Sequence, residues 1–267
     1  MFRRFLQSAG KLSAGFVSAQ VAATAVVLSD KDLLKKPYWY REVVISVEEA
    51  VKDLSVKGFI ESKGKLAELE DVFQRIKDIN HVEILWRYAR LLAEKAQFLH
   101  SKKEKLELLH EAEKYVKKAL EIEPATGVPG LHKWAAIIYT KLGELEKRTD
   151  VDVVKTHFKK AVELDSKDPY AHLLYGMQLF KNKDYKEAVE IFKKAESIKS
   201  EFSVANKYYL GAALKELGKK DESIQVLKEA IALPVVYFFE GSAKAEARAI
   251  LTNYYKLSAR EIDVRLN

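Results

Sequence analysis

Six histidines, a dense population of carboxylates and one Gly-Lys pair are the groups in this chain with catalytic or ligand-binding potential. His81, His100, His110, His132, His157 and His172 are dispersed, and none stands in an H-E-x-x-H arrangement. A zinc site on one helix needs two imidazoles a turn apart, three or four residues in sequence, and no pair here has that spacing. The histidines are therefore read as packing or solvated groups. Cysteine is absent, which removes disulfide scaffolds, thiolate zinc sites, iron–sulfur clusters and cysteine nucleophiles. Around Gly64, the segment ESKGKL lacks the first glycine of a phosphate-cradling loop. The carboxylates stand among lysines, a pattern of solvated i,i+4 partners on helix surfaces. The residues thus predict no catalytic group, no metal, no cofactor and no enzyme.

The elements that would position these groups are helical. The chain has 267 residues, 48% hydrophobic and 32% charged, with only 11 glycines and 5 prolines. That composition supports a packed core and disfavours both disorder and loop-rich β-sandwiches. Lys and Arg number 46 against 39 Asp and Glu, a formal charge of +7. Arg3, Arg4 and Lys11 place +3 within residues 1–29, leaving a nearly balanced body with +4. Without a basic face carrying aromatic or Gly-rich readers, nucleic acid is not the expected partner. An acidic protein tail or a lipid headgroup remains compatible.

Residues 1–37 read as a separate basic segment. It is rich in Ser and Ala and free of acid until Asp30. A helix there would set Phe2, Phe5, Leu6, Leu12 and Phe16 broadly along one side, as in a mitochondrial transit peptide. Leu12 to Leu28 is an uncharged stretch of 17 residues, short and polar for a membrane span, which needs about 20. A transit peptide, an anchor and a secretory signal all remain open.

Behind it runs an internal repeat. Phe158, Ala161 and Leu164 precede Phe192, Ala195 and Ile198 by 34 residues, and Leu227, Ala230 and Leu233 follow 35 later. Val116, Ala119 and Ile122 form the same triplet earlier, and Gly176 aligns with Gly211. Each unit reads as a helix with a small residue at a close crossing, a polar turn, and a second helix with apolar spacings of three and four. One such pair leaves an apolar face open, so neighbours must stack. The pattern resembles the tetratricopeptide repeat, with Ala188 and Ala195 in the small twentieth and twenty-seventh places of the unit from Pro169. In the unit from Val204, Gly211, Ser223 and Ala230 take the small positions.

The predicted fold is all-α, a tetratricopeptide-like right-handed superhelix of antiparallel helix pairs with a C-terminal capping helix. An irregular first pair occupies 38–80, repeats occupy 81–235, and a cap and tail occupy 236–267. Two insertions are expected, near HSKKEK and in the turn around GELEKRTD. The cap is expected from about Ala243 to Leu257, with Ser242 as N-cap and Ile250, Leu251 and Tyr254 facing inward.

Two surfaces follow from the register. First helices of such repeats line an inner groove, where the positions read Tyr139, Tyr170, Leu173, Met177, Phe180 and Tyr208. An apolar groove would suit an amphipathic peptide or the acyl chain of a phospholipid; the same residues would also serve as core. On the outer side, Lys117-Lys118, Lys159-Lys160 and Lys193-Lys194 recur at one place in successive second helices, with Lys228 beginning the fourth. Stacking would align their ammonium groups to face acidic tails.

Three stretches, HVEILWRYARLLAEKAQ from His81, HKWAAIIYTKLG from His132 and THFKKAVELDSKDPYAHLLYG from Thr156, resemble the regulator of microtubule dynamics family over roughly residues 70–235. The resemblance implies a non-enzymatic helical-repeat scaffold that binds microtubules or tubulin and acts in spindle organisation, at a cytoplasmic, cytoskeletal or mitochondrial site. A mitochondrial relative is a contact-site tether whose repeat domain carries phospholipid, which gives the alternative of a lipid-binding or lipid-transfer module. Relatives insert a long segment between the helices that here read GMQLFKNKDYKEAVEIF, where this chain has a short turn.

Overall fold

The computed structural model describes residues 34–35, 38–56, 58–147 and 151–263, and the regular structure among them is entirely helical. The chain divides between Asp150 and Val151 into two compact units. The division falls inside the stretch read from sequence as continuous repeats.

The first unit contains α1 (Tyr38–Val56), α2 (Lys63–Gln74), α3 (Val82–Ala96), α4 (Lys102–Glu121) and α5 (Pro129–Glu146). Its most extensive packing joins α3 to α4, and α5 then lies against both. The spacing of Leu66, Leu69, Phe73 and Ile76 has the anticipated result, since all four are buried. The two expected insertions take another form. Lys102 to Lys105 begin α4, and Gly143 to Glu146 end α5, so these residues lengthen helices instead of looping out, while residues 148–150 of the second insertion lie outside the described residues. The lysine-, leucine- and glutamate-rich sequence explains this, because such residues lose little freedom in a helix.

The second unit contains α6 (Val151–Leu164), α7 (Pro169–Lys181), α8 (Tyr185–Ile198), α9 (Val204–Glu216), α10 (Lys220–Ala232), α11 (Glu240–Ala249) and α12 (Ala259–Ile262). Here the repeat is regular. Phe158, Phe192 and Leu227 are buried, as are Ala161, Ala195 and Ala230. A Cβ on Gly176 would strike the Phe192 ring, and one on Gly211 would sit 2.6 Å from Leu227 Cγ. Ser223 fits the same crossing because its hydroxyl donates to the Gly211 carbonyl at 2.7 Å. Starts are signalled locally. Asp168 Oδ1 accepts from the Tyr170 and Ala171 amides at 2.9 and 3.1 Å, with Pro169 in the first helical position. Gly218, with φ of 73°, supplies the left-handed residue in the turn before α10.

The carboxyl-terminal cap differs from its sequence reading. It begins at Glu240, whose carboxylate accepts from the Val236 and Tyr237 amides and from the Ser203 hydroxyl. Ser242 consequently lies inside the helix, donating to the Phe239 carbonyl at 3.1 Å. After Ala249 the helix widens into a π turn, Ile250–Tyr254. Wider winding shifts the register of the last residues. Leu251 faces inward as expected and Ile250 is half-buried, but Tyr254 is 61% exposed, with the Lys215 ammonium over its ring.

Candidate functional site

The expected groove residues occupy two different environments. Leu173 is fully buried in α7, and Tyr139 in α5 and Tyr208 in α9 are buried to 9% exposure. These three are core, not groove surface. The cause at Tyr208 is α11, whose Glu246 accepts the phenol proton. Burial first, and that carboxylate second, push the Tyr208 phenol up from its ordinary value. Tyr170 is half-buried, edge-on to Phe202 and Tyr237 with centroids at 5.1 and 5.4 Å. Phe180 meets Tyr185 and Tyr209 edge-on at 5.3 and 5.4 Å, and Met177 is half-buried. Tyr170 and Phe180 thus pack against other aromatic rings, and one partner of Tyr170, Tyr237, follows the last repeat.

The outer lysines are open to solvent. Lys117, Lys159 and Lys193 expose 59%, 63% and 54% of their side chains, Lys118, Lys160 and Lys194 are exposed, and Lys228 is half-exposed. In the first unit Lys117 pairs with Glu113 at 2.9 Å, and Lys118 lies over the Tyr115 ring at 5.6 Å. In the second unit Lys159 approaches Glu163 at 4.0 Å, while Lys193 reaches Glu222 of α10 at 3.5 Å. Lys219, with Lys193 adding, holds Glu222 below the usual carboxylate range. The basic rows are therefore interleaved with acid, as the i,i+4 spacing of Glu113 with Lys117 and Lys159 with Glu163 already signals.

Two features of the second unit were not visible in the sequence pattern. Lys155 of α6 pairs with Asp184, the residue before α8, and with Glu187 of α8 at 3.1 and 3.2 Å, so a second helix is tied to the start of the next one. Asn206 is fully buried, and its amide donates to the Phe192 carbonyl and to Glu196 Oε2, both at 3.2 Å. Only a three-dimensional neighbour reveals either contact.

Four of the six histidines make structural contacts. His81 Nδ1 accepts from the Glu83 amide at 3.2 Å, capping α3. Buried His132 contacts Glu123, which also accepts the Val128 amide at 2.7 Å. His172 Nδ1 meets the Asp168 carbonyl at 2.8 Å, and His110 Nε2 meets Glu146 at 2.7 Å. A cavity of ≈ 710 Å³ in the first unit is lined by His81, Glu83, Ile122, Thr126 and Val128. Its imidazole already serves as a helix cap. Among the described residues no group of three His, Cys, Asp or Glu is placed to hold a metal ion, and no helix is long and apolar enough to cross a membrane. The candidate targeting segment, residues 1–37, lies outside the described residues except for Leu34 and Lys35.

With repeat register and surface in place, sequence comparison decides the family. The model for regulator of microtubule dynamics protein 1-3 matches residues 56–183 and 178–256. The chain belongs to this family. The mouse (Mus musculus) regulator of microtubule dynamics protein 1 is 29% identical over 79% of this chain and 76% of its own length. The Pongo abelii protein 1 is 26% identical over 95% and 83%. The Rattus norvegicus protein 3 is 28% identical over 57% of this chain but only 37% of its own. Among solved structures, YrrB, described as a TPR protein with an unusual peptide-binding site, superposes with a TM-score of 0.51 at 16% identity, covering 77% of this chain and 91% of YrrB. A MamA structure gives 0.51 at 11% identity, over 72% and 98%. At these identities the likeness establishes the tetratricopeptide-like fold.

Proposed function

We propose that this family member is a non-enzymatic repeat scaffold that binds microtubules and acts in microtubule or spindle organisation. The observation that carries the reading is the set of solvent-exposed lysine pairs at matching positions of successive second helices, in a chain of this family. Lys159, Lys160, Lys193 and Lys194 would face the acidic tails of tubulin. Their partners Glu163 and Glu222 are exposed side chains at 61% and 49%. Exposed pairs of this kind are worth about 1 kcal/mol or less, so a denser array of carboxylates can displace them. The alternative, a phospholipid-binding module, keeps Tyr170, Met177 and Phe180 as half-buried candidates, while Leu173, Tyr139 and Tyr208 are core.

The test is co-sedimentation of the full-length protein with microtubules. Reversing Lys159, Lys160, Lys193 and Lys194 to Glu should abolish binding at low salt, and wild-type binding should weaken as salt rises. Unchanged co-sedimentation of the reversed protein would reject this surface. Reversal of Lys117 and Lys118 separately measures the contribution of the first unit.

A further inference from the structure

The connection from α10 to α11, Leu233 to Phe239, reads LPVVYFF and carries no charged side chain. Its tip points outward. Val235, Val236 and Phe238 are 46%, 56% and 90% exposed, and Phe238 is the most exposed large apolar side chain among the described residues. The base of the loop is fixed. Glu240, fully buried, accepts the Val236 and Tyr237 amides at 2.8 and 3.0 Å. The Tyr237 and Phe238 carbonyls accept the Glu240 and Gly241 amides at 3.0 and 3.2 Å, and the Leu233 carbonyl accepts the Lys244 ammonium at 2.7 Å. Tyr237 stacks on Phe239 at 6.0 Å and meets Tyr170 edge-on, which holds the rings on either side of Phe238 against the body.

Two properties of the tip select its partner. The first is area. A whole Phe side chain buries about 150–250 Å². Two half-exposed valines add less than that, and the sum stays short of the about 800 Å² per partner in a stable protein–protein contact. A second copy of the chain gains little from so small a patch. The second property is backbone bonding. Hydrocarbon without water tolerates a loop only where its N–H and C=O groups find partners inside the chain. Here a buried carboxylate, a lysine and the first turn of α11 supply those partners around Phe238, and Pro234 has no N–H to satisfy. We propose that the Val235–Phe238 tip docks on a phospholipid bilayer, with Phe238 and the two valines entering the boundary between headgroups and acyl chains. The contact uses none of the lysines of the basic rows and does not rest on the microtubule reading.

The chain has no cysteine, so a single thiol can be placed without background. Full-length Val236→Cys, labelled with an environment-sensitive nitrobenzoxadiazole dye, is mixed with vesicles of equal parts phosphatidylcholine and phosphatidylserine. The expected result is a blue shift that is quenched by lipids brominated in the acyl chain. It should persist at high salt, which keeps the lysine rows out of the result. The same dye at Lys220→Cys, exposed at the other end of α10, should not shift, even if residues 1–37 hold the chain on the vesicle. Phe238→Asp in the labelled protein should raise the lipid concentration for half the shift about tenfold or more, as the loss of one buried Phe side chain sets. No shift at position 236, an equal shift at position 220, or a shift indifferent to Phe238→Asp would overturn the proposal. A shift that grows with protein concentration in the absence of vesicles, with dimers in sedimentation velocity, would assign the tip to a second copy and overturn it too.

Discussion

The helices of the second unit close on one another where side chains are missing, whereas α3 of the first unit brings charge into its packing. Gly176 and Gly211 leave room for Phe192 and Leu227, and Ala161, Ala195 and Ala230 repeat the device. In α3, by contrast, Arg87 pairs with Glu83, and Arg90 with Glu94 at 3.1 Å, the latter pair with only 4% and 2% of the side chains exposed. Arg90 also donates to the Leu54 and Gly58 carbonyls and lies 4.9 Å from the Trp134 ring centroid. One guanidinium thus connects the end of α1, the loop after it and α5. Close apolar crossings need no partner beyond the next helix. A buried ion pair needs every surrounding group in place, which suits an irregular region where no repeat supplies the neighbour.

The comparison can be broken most severely at Glu94. Replacing it with Ala leaves the Arg90 charge buried without its carboxylate, and should cost about 3–5 kcal/mol. Denaturant unfolding would measure the loss, and hydrogen exchange should place it in α1 and α3 while α8 and α9 keep their protection. The same residue predicts a pH dependence. Burial, only partly offset by Arg90, pushes the Glu94 carboxyl up from 4.5 to about 7. Between those values the folded chain holds a proton that the unfolded chain has released, so stability falls as pH rises through this window. The first unit should therefore be more stable near about pH 5 than above about pH 7, and this difference should vanish in Glu94→Gln.

A smaller effect tests the other side of the comparison. Gly211→Val forces a branched side chain against Leu227 and should cost about 1–3 kcal/mol, confined to α9 and α10. If exchange in that pair is unchanged, close approach is not what sets its packing. Smallest of all, Lys155→Met should change stability by about 1 kcal/mol or less, since its ties to Asp184 and Glu187 are part-exposed. A larger loss in thermal unfolding would mean that the second helices depend on charge more than on their glycines and alanines.

This contrast also explains what could be read in advance. Phe192 with Ala195, and Leu227 with Ala230, declare their burial because apolar residues at helical spacing have one plausible destination. Arg90 and Glu94 stand four apart, the spacing of an ordinary solvated pair, and nothing local marks them as interior. The groove assignments failed at Leu173 and Tyr208 for a related reason. Position within a repeat tells which side a residue faces, but not whether α11 or an adjacent aromatic ring has already covered it. The cap was legible as a helix. Its start was not, because Glu240 reaches back to Ser203 over a distance in sequence that no local rule spans, and the π turn that rotates Tyr254 outward has no composition of its own.

The ties between second helices run in one direction. Lys155 of α6 meets acids near the start of α8, and Lys193 of α8 meets an acid near the start of α10. Each hairpin from Pro169 onward accordingly presents anions to its predecessor, and α8 presents a cation to its successor. Duplicating residues 169–203 in tandem would set matching charges against each other at the new junction without any redesign. The array can lengthen by whole modules, in the manner of couplings that fit only head to tail.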